Sequence, residues 1–321
     1  MMKMKMKCDR FCFNKVFQWP PPELWLVKEL CKEIVVPYTP PHYCPRTELQ
    51  QKYEDYQYKT RPVPFGIPSE HHTLAIQTAP RPHGDTLHNL LDNLDRAGIE
   101  RWIGPKLLVS DGFEPKIQSS WSMSTTKTPT AGSARTFIRL LQESLRVDPN
   151  LEYLTCLQDD IVLSLNALDY ISRVKVPIDL SLISWFTYDY NPPTHKLTPS
   201  PETHSNPVLA CRPTRLFILG QAITIPRWSI ESILYCPYVQ NWPKVNGCDE
   251  IPGWVLGDAP HAVHFPNLAQ HTDGVNSACL LTLNRKDPEA IHPDWIMGHR
   301  MSPYFAGLDF NSLKLIQEDH P

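Results

Sequence analysis

The stretch Tyr153-Leu-Thr-Cys-Leu-Gln-Asp159-Asp160 is a short apolar run that ends in two adjacent carboxylates. Two similar runs precede it, Thr73-Leu-Ala-Ile-Gln-Thr78 and Lys106-Leu-Leu-Val-Ser110. Apolar runs of this length, bounded by polar and turn-forming residues, are typical of buried strands. We therefore predict three strands, each of which leads directly into polar residues.

The segments between these runs have the spacing of helices. One apolar set recurs at intervals of three and four residues, as expected for the buried face of a helix: Leu87, Leu90, Leu91, Leu94 and Ala97. Asp85 is suited to cap this helix and Gly98 to end it. Ser133 is suited to cap a second helix, which ends at Asp148-Pro149. Alternating strands and helices predict an α/β fold with a mixed, mostly parallel sheet flanked by helices.

Composition excludes several classes of protein. The chain has 321 residues, of which 41% are hydrophobic, which argues against a disordered chain. It has 31 basic residues against 34 acidic ones, which argues against a surface coated with phosphate contacts. Charges or prolines interrupt every long apolar stretch, so we expect no membrane-spanning helix. The first seven residues lack the apolar core of a secretion signal, and nine cysteines suit free thiols, so we expect a cytoplasmic protein.

The amino-terminal part differs in composition from the rest. Residues 1–62 hold 11 basic and 7 acidic residues, a balance of about +4, whereas the remainder is about -7. Prolines cluster on both sides of this boundary. We predict a basic, proline-rich arm or subdomain over residues 1–70, a catalytic domain over 71–285, and a carboxyl-terminal extension over 286–321 that packs on it. The spacing of four early cysteines lacks the paired knuckles of zinc modules: Cys8, Cys12, Cys31 and Cys44.

Polar residues follow each predicted strand. Asp111 follows the second strand, and Asp159 and Asp160 follow the third. Ligands of open α/β sheets bind beyond the carboxyl ends of the strands, where these residues would meet. Two adjacent carboxylates repel each other unless a positive group lies beside them, which points to a divalent cation. The alternative is that one of the two aspartates only caps the next helix.

In order and spacing, these motifs resemble the nucleotide-sugar-dependent glycosyltransferases of the GT-A fold, a Rossmann-like sheet, over roughly residues 73–280. The resemblance implies that residues near the ends of the first strands bind the donor: Thr78, Ala79, Arg81, Asp111, Gly112, Arg135 and Asp159. It also implies an acidic metal-binding motif at the end of a later strand. Gln158 stands at the first position of that motif, where the family has an acid, so Asp160 is expected to be the direct metal ligand.

A later segment extends the resemblance. Pro266-Asn-Leu-Ala-Gln270-His271, followed by Gly274, resembles the late segment of branching N-acetylglucosaminyltransferases and their relatives. In those enzymes this segment brings a histidine back to the metal and the diphosphate, which implies that His271 is the second metal ligand. The alternative is an ordinary buried or surface histidine.

The resemblance implies transfer of a sugar from a nucleoside diphosphate sugar, with a UDP-sugar favoured, to an acceptor hydroxyl. A bound Mn²⁺ or Mg²⁺ would stabilise the departing diphosphate as a Lewis acid. An inverting enzyme also needs a carboxylate that accepts the proton of the acceptor. We favour Asp249 for this role, together with its neighbour Glu250, and keep Asp258 as a reserve. Each of these carboxylates could instead serve as a helix cap.

Two other functions share these features. A sugar-phosphate nucleotidyltransferase needs a glycine-rich loop after its first strand, but Ala79-Pro-Arg-Pro-His-Gly84 contains a single glycine. A non-catalytic binding protein built on the same fold is the second alternative. The acceptor stays open between a glycan, a protein and a modified nucleic-acid base, the last suggested by tyrosines interleaved with basic residues in the amino-terminal arm.

Overall fold

The computed structural model describes residues 59–80, 86–115, 117, 121–126, 132–187, 206–214, 217, 220–240, 248, 250–272, 302 and 304–316. The chain divides into two compact units, Met1–Pro45 and Arg46–Pro321, and all described residues belong to the second. The four early cysteines, and residues 1–58 of the predicted arm, therefore lie outside the described residues.

The described part of the chain is built around a nine-stranded sheet in the order β1-β8-β10-β7-β9-β5-β2-β3-β4. Its strands are β1 (Lys59–Pro62), β2 (His72–Thr78), β3 (Lys106–Ser110), β4 (Ser122–Thr125), β5 (Tyr153–Gln158), β7 (Ile183–Ser184), β8 (Val208–Pro213), β9 (Ala222–Pro226) and β10 (Pro260–Phe265). Two further strands, β6 (Ile161–Leu163) and β11 (Ala269–His271), pair with each other in a separate sheet.

The sheet is mixed, as the sequence predicts. Among the described strands, β2–β3, β2–β5, β3–β4 and β7–β10 pair in parallel, and the other four pairings of the large sheet are antiparallel. Antiparallel pairing has a larger share than expected because β8 and β9 each run opposite to both of their neighbours. The three strands predicted from the sequence run parallel to one another, with β2 between β3 and β5.

Six α-helices accompany these strands in the described residues: α1 (Thr86–Arg96), α2 (Gly132–Val147), α3 (Ala167–Arg173), α4 (Arg227–Tyr235), α5 (Pro237–Gln240) and α6 (Glu250–Leu256). Short 3-10 helices span Ile99–Arg101 and Ser312–Leu315. Leu87, Leu90 and Leu94 of α1 are buried, and Gly98 after it has a φ of 90°, as expected for a glycine that ends a helix.

The core lies between the sheet and its helices. Helix α2 packs on β2 and β3, and α4 contacts both α2 and α6. The central strands contribute fully buried residues such as Leu74, Leu107 and Leu154. No helix in the described part of the chain is long and apolar enough to cross a membrane.

Candidate active site at the carboxyl edge of the sheet

Parallel pairing brings the ends of β2, β3 and β5 to one edge of the sheet. Thr78 is in register with Ser110, and Gln77 is in register with Gln158. The backbone N–H of Asp111 donates to the carbonyl of Thr78 over 3.0 Å. The polar residues that follow the three strands are therefore neighbours, although they are far apart in the sequence.

Asp159 is buried and ties three elements together. Its Oδ2 accepts hydrogen bonds from Thr78 Oγ1 at 2.7 Å and from Thr86 Oγ1 at 3.1 Å. The carboxylate thus joins β2, β5 and the first residue of α1. The sequence pattern pointed to Asp85 as the cap of this helix, and that residue lies outside the described ranges. Thr86 is not among the site residues predicted from the sequence. Its hydroxyl, at the start of a predicted helix, is the sequence feature that could have indicated it.

Asp160 and His271 lie together in the structure. His271 of β11 is in register with Ile161 of β6, and the N–H of Thr272 donates to the carbonyl of Asp160 over 2.8 Å. This pairing places Nε2 of His271 at 3.4 Å from Oδ2 of Asp160, and both side chains are buried. The short β6–β11 sheet thus brings together the two residues that the sequence motifs nominate as metal ligands.

The spacing of this pair fits a divalent cation. A separation of 3.4 Å is longer than a strong N–H···O hydrogen bond, whereas adjacent ligands of an octahedral ion lie roughly 3 Å apart when each is about 2.1 Å from the metal. Nδ1 of His271 is buried and makes no hydrogen bond to the described residues. The described part of the chain holds no group of three or more metal-ligating side chains, so an ion here would take further oxygens from a bound ligand and water.

Asp111 is held at the end of β3. Its buried side chain accepts a hydrogen bond from Thr126 Oγ1 at 2.9 Å, just beyond β4. Gly112 follows with a φ of 73°, a left-handed conformation that glycine adopts without strain and that turns the chain away from the sheet. Thr126 is also not among the predicted site residues, because nothing in the neighbouring sequence indicates that β4, which it follows, pairs with β3.

Other predicted donor-binding residues lie nearby or outside the described ranges. Ala79 directly follows Thr78 at the end of β2 and is half-buried. Arg135 is exposed in the first turn of α2, whose start is tied to β2 by a 2.9 Å hydrogen bond from Gln77 Nε2 to the carbonyl of Ser133. Arg81 lies outside the described residues.

Of the three candidate bases, the structure describes the side chain of Asp258. Asp249 and the side chain of Glu250 lie outside the described residues, but Cys248, which precedes them, accepts a hydrogen bond from Gln158 Nε2 at 3.3 Å. Asp258 is exposed just before β10, which runs parallel to β7. It therefore lies at the opposite edge of the sheet, separated from the site by a six-residue strand roughly 20 Å long. The structure does not bring Asp258 together with Asp160.

Two open clefts also lie at that opposite edge, where β2, β3 and β5 begin. They have volumes of about 420 and 460 Å³, and both are lined by Glu70, His71 and Ile103. Nδ1 of His71 is 3.3 Å from each carboxylate oxygen of Asp148. These clefts are large, but the residues nominated from the sequence for donor and metal binding are not among those that line them.

No family model matches the chain, and neither does any curated protein. The fold is similar to solved structures that include the mannosyltransferase PcManGT from Pyrobaculum calidifontis in complex with GDP-Man and Mn²⁺ (11% identity, TM-score 0.39, 64% of this chain and 57% of that chain). It is also similar to S. aureus TarS 1-349 in complex with UDP-GlcNAc (8% identity, TM-score 0.36, 60% of this chain and 55% of that chain). A third similar structure is GalNAc-T7 with UDP, GalNAc and Mn²⁺ (13% identity, TM-score 0.39, 64% of this chain and 44% of that chain).

The chain matches about half the length of these structures, between 44% and 57%.

Proposed function

We propose that this chain is a metal-dependent glycosyltransferase that moves a sugar from a nucleoside diphosphate sugar to an acceptor hydroxyl. The observation that carries the proposal is the 3.4 Å approach of the buried Asp160 carboxylate to the His271 imidazole, beyond the end of β5. Oxygen and nitrogen donors of this kind are common metal ligands, and the carboxyl edge of the parallel strands is where open α/β sheets bind ligands.

Charge at this edge supports a cation. Asp159 and Asp160 are consecutive in the chain, and both are buried. The hydroxyls of Thr78 and Thr86 stabilise the Asp159 carboxylate by hydrogen bonds without changing its charge. Two consecutive carboxylates create a negative potential that attracts a cation. A divalent ion on Asp160 would be stabilised by this potential.

In this proposal Asp160 and His271 hold Mn²⁺ or Mg²⁺, and the nitrogen ligand favours Mn²⁺ because Mg²⁺ is held mostly by oxygens. When bound, the ion would stabilise the negative charge that develops on the departing diphosphate. Asp111, fixed by Thr126, would accept a hydrogen bond from the nucleoside, with UDP favoured. Arg135, at the start of α2, would contact the phosphates, and Arg81 is proposed to do the same.

Asp249 is proposed as the general base, with Glu250 as its neighbour. The support is the contact between Gln158 and Cys248, which holds the residue before Asp249 against the end of β5. A base has to lie within hydrogen-bond reach of the acceptor hydroxyl, and so close to the metal site. Asp258 is not proposed for this role, because it lies at the other edge of the sheet.

The first test is Asp160→Asn, assayed with a panel of nucleoside diphosphate sugars for Mn²⁺-dependent turnover, including hydrolysis without an acceptor. Removing a metal-ligating carboxylate is expected to lower Mn²⁺-dependent turnover about 100-fold or more, with the thermal midpoint of the metal-free protein little changed. Asp92→Asn makes the same chemical change at an exposed position of α1 and should leave both quantities unchanged.

Wild-type rates in the Asp160→Asn variant would contradict the metal assignment. Binding of a nucleoside diphosphate sugar by the wild type, without turnover under any metal, would instead favour the non-catalytic binding protein. Glycans, proteins and DNA with modified bases can be offered in the same assay, because the acceptor is not specified by the described residues.

The second test is Asp249→Asn. Loss of a general base is expected to lower kcat for transfer by roughly 10²- to 10⁴-fold while the Kd of the donor changes little. The measurement is steady-state transfer kinetics alongside donor binding by calorimetry. A raised KM for the donor with an unchanged kcat would show that Asp249 binds the donor and is not the base.

A further inference from the structure

The strand that carries His271 is too short to hold its own position. The β6–β11 sheet consists of three residue pairs, Ala269 with Leu163, Gln270 with Val162 and His271 with Ile161. A two-stranded sheet of this size is marginally stable at best. The pairing also joins segments more than 100 residues apart, which adds a cost in loop-closure entropy. Other contacts must therefore keep the His271 imidazole next to Asp160.

The side chain of Gln270 makes such contacts. It is buried, and its Oε1 accepts hydrogen bonds from the N–H of Ser302 at 2.7 Å and from the N–H of His271 at 3.2 Å. Its Nε2 donates to the carbonyl of Ser302 over 3.2 Å. One amide group thus binds both backbone groups of Ser302 and the backbone of the histidine.

Asn267 strengthens the same connection from the other end of the segment. Its Oδ1 accepts hydrogen bonds from Ser302 Oγ at 2.5 Å and from the N–H of Thr187 at 3.0 Å. Its backbone N–H donates to the carbonyl of Tyr304 over 2.9 Å. Ser302 is therefore held by side chains on both sides of Ala269, and it is itself buried.

The partner strand β6 is also fixed by side chains. Asn93 of α1 accepts from the N–H of Leu163 at 2.6 Å and donates to its carbonyl over 3.1 Å. Ser164, just after β6, lies 2.6 Å from the hydroxyl of Ser312. Residues close to the carboxyl terminus thus hold both strands of the short sheet.

We propose that Gln270 is a positioning residue for His271, and that Ser302 is the anchor through which it acts. The amide of Gln270 fixes the backbone of His271 against Ser302, and this keeps the imidazole at the distance from Asp160 that a shared metal ion needs. The inference rests on the proposed function in that His271 is taken to bind the metal. The new element is that Ser302, which lies 31 positions after His271 in the chain, is required for metal affinity.

The test is Gln270→Met, which keeps the length of the side chain and removes all three hydrogen bonds. Binding of Mn²⁺ alone to the full chain is measured by calorimetry well below the thermal midpoint, and hydrogen exchange is measured over residues 269–272. Loss of a group that orients a metal ligand is expected to weaken Mn²⁺ binding roughly 10- to 100-fold. Exchange over residues 269–272 should become faster.

Two further variants complete the comparison. Ser302→Ala removes the hydroxyl that donates to Asn267 and accepts from the N–H of Tyr304, but it keeps the backbone groups that contact Gln270, so it should weaken Mn²⁺ binding in the same direction but by less. It decides the question if Gln270→Met does not fold. Gln142→Met makes the same chemical change at an exposed position of α2 and should leave Mn²⁺ affinity and exchange at residues 269–272 unchanged.

A lower thermal midpoint with wild-type Mn²⁺ affinity in the folded Gln270→Met protein would overturn the inference, because a purely structural residue behaves in that way. Unchanged affinity in Ser302→Ala would overturn the role of the anchor. If the wild type itself does not bind Mn²⁺, the metal part of the proposed function fails. Faster exchange at residues 269–272 in Gln270→Met would then still support the positioning of His271.

Discussion

The Asp159 carboxylate is buried, and two threonine hydroxyls donate to it. Thr78 makes the shorter of these hydrogen bonds, at 2.7 Å, and is itself buried. Hydrogen bonds to charged groups contribute more than neutral ones, and a buried acceptor that loses its donor pays the full desolvation penalty. Thr78 therefore serves the stability of the strand edge as well as lying in the candidate donor site.

Thr78→Val keeps the shape of the side chain and removes the donor. We expect the free energy of unfolding to fall by about 1.5–3 kcal/mol, the usual contribution of a hydrogen bond to a charged group. Urea unfolding at neutral pH measures it. Thr60→Val, at an exposed position of β1, is the matched control and should change stability by less than about 0.5 kcal/mol. Equal stability of Thr78→Val and the wild type would mean that Asp159 does not depend on Thr78.

Some residues of the candidate site can be predicted from the sequence, and others cannot. The sequence predicts both Asp160 and His271 as site residues, because residue type and the neighbouring motif carry chemical information. Thr86 and Thr126 were not nominated, since a threonine is common at helix starts and strand ends and reveals its partner only when the chain is folded. Residue type also predicts Asp258, and the direction of β10 places it at the edge of the sheet opposite to Asp160.

Among the elements, β2 and the segment before β3 approach each other unusually closely at Gly104. A Cβ added to Gly104 would lie 2.0 Å from the backbone carbonyl oxygen of His72. Backbone atoms cannot move aside as a flexible side chain can. Glycine is therefore required here for its size, and the close approach helps to set the register of β2 and β3.

Gly104→Ala is expected to destabilise the protein by several kcal/mol, because it forces the two segments apart. Gly257→Ala is the matched control. Gly257 has a φ of 54° and open space around its Cβ position, so only backbone strain of about 1–2 kcal/mol is expected. Thermal or urea unfolding of both variants gives the comparison. Equal losses of stability would contradict the steric role of Gly104.

Elements with a strong local period were predicted well. The bounds of β3 agree with the predicted residues 106–110. Strand β2 begins one residue before the predicted 73–78, and β5 ends one residue after the predicted 153–157. Residues 180–186 are strand-like in composition, yet among them only Ile183 and Ser184 form a strand. The three-residue strands β6 and β11 were not predicted, because each exists only through its pairing with a distant segment.

Among the described residues, burial lowers the pKa of three histidines. Burial, aided by Lys175, lowers the pKa of His72 to about 3. Burial lowers the pKa of His264 to about 4 despite its hydrogen bond to the carbonyl of Pro266. Burial and Arg212 lower the pKa of His261 well below its ordinary value. His264 donates from Nδ1 to Pro266 at 2.7 Å, so its Nε2 accepts from the hydroxyl of Tyr170.

These lowered pKa values predict that the free energy of unfolding decreases as the pH is lowered. In the unfolded chain each histidine takes up a proton below pH 6.5, whereas in the native state His264 does so only near pH 4. Their contribution to stability is therefore complete above pH 6.5 and is lost as the pH falls toward 4. From pH 7.5 to 5.0 the loss is about 2 kcal/mol for His264.

His264→Gln tests this linkage. The variant is expected to be less stable than the wild type at pH 7.5, because it disturbs a buried hydrogen-bonded site, but to lose about 2 kcal/mol less on going to pH 5.0. Urea unfolding at a series of pH values measures the difference. His88→Gln, exposed on α1, should keep the wild-type profile. Parallel pH profiles for His264→Gln and the wild type would refute the assignment.

Which segments are buried and which residues end the central strands could be predicted from the sequence, because both depend on local spacing and on the chemistry of single side chains. The resemblance implied that Asp160 and His271 share a metal, but the folded structure was needed to show the β6–β11 pairing that joins them, the position of Asp258 at the other edge, and the contacts between Ser302 and Gln270. These placements depend on strand order and direction. Both are set by packing and loop closure summed over the whole chain, which no local pattern records.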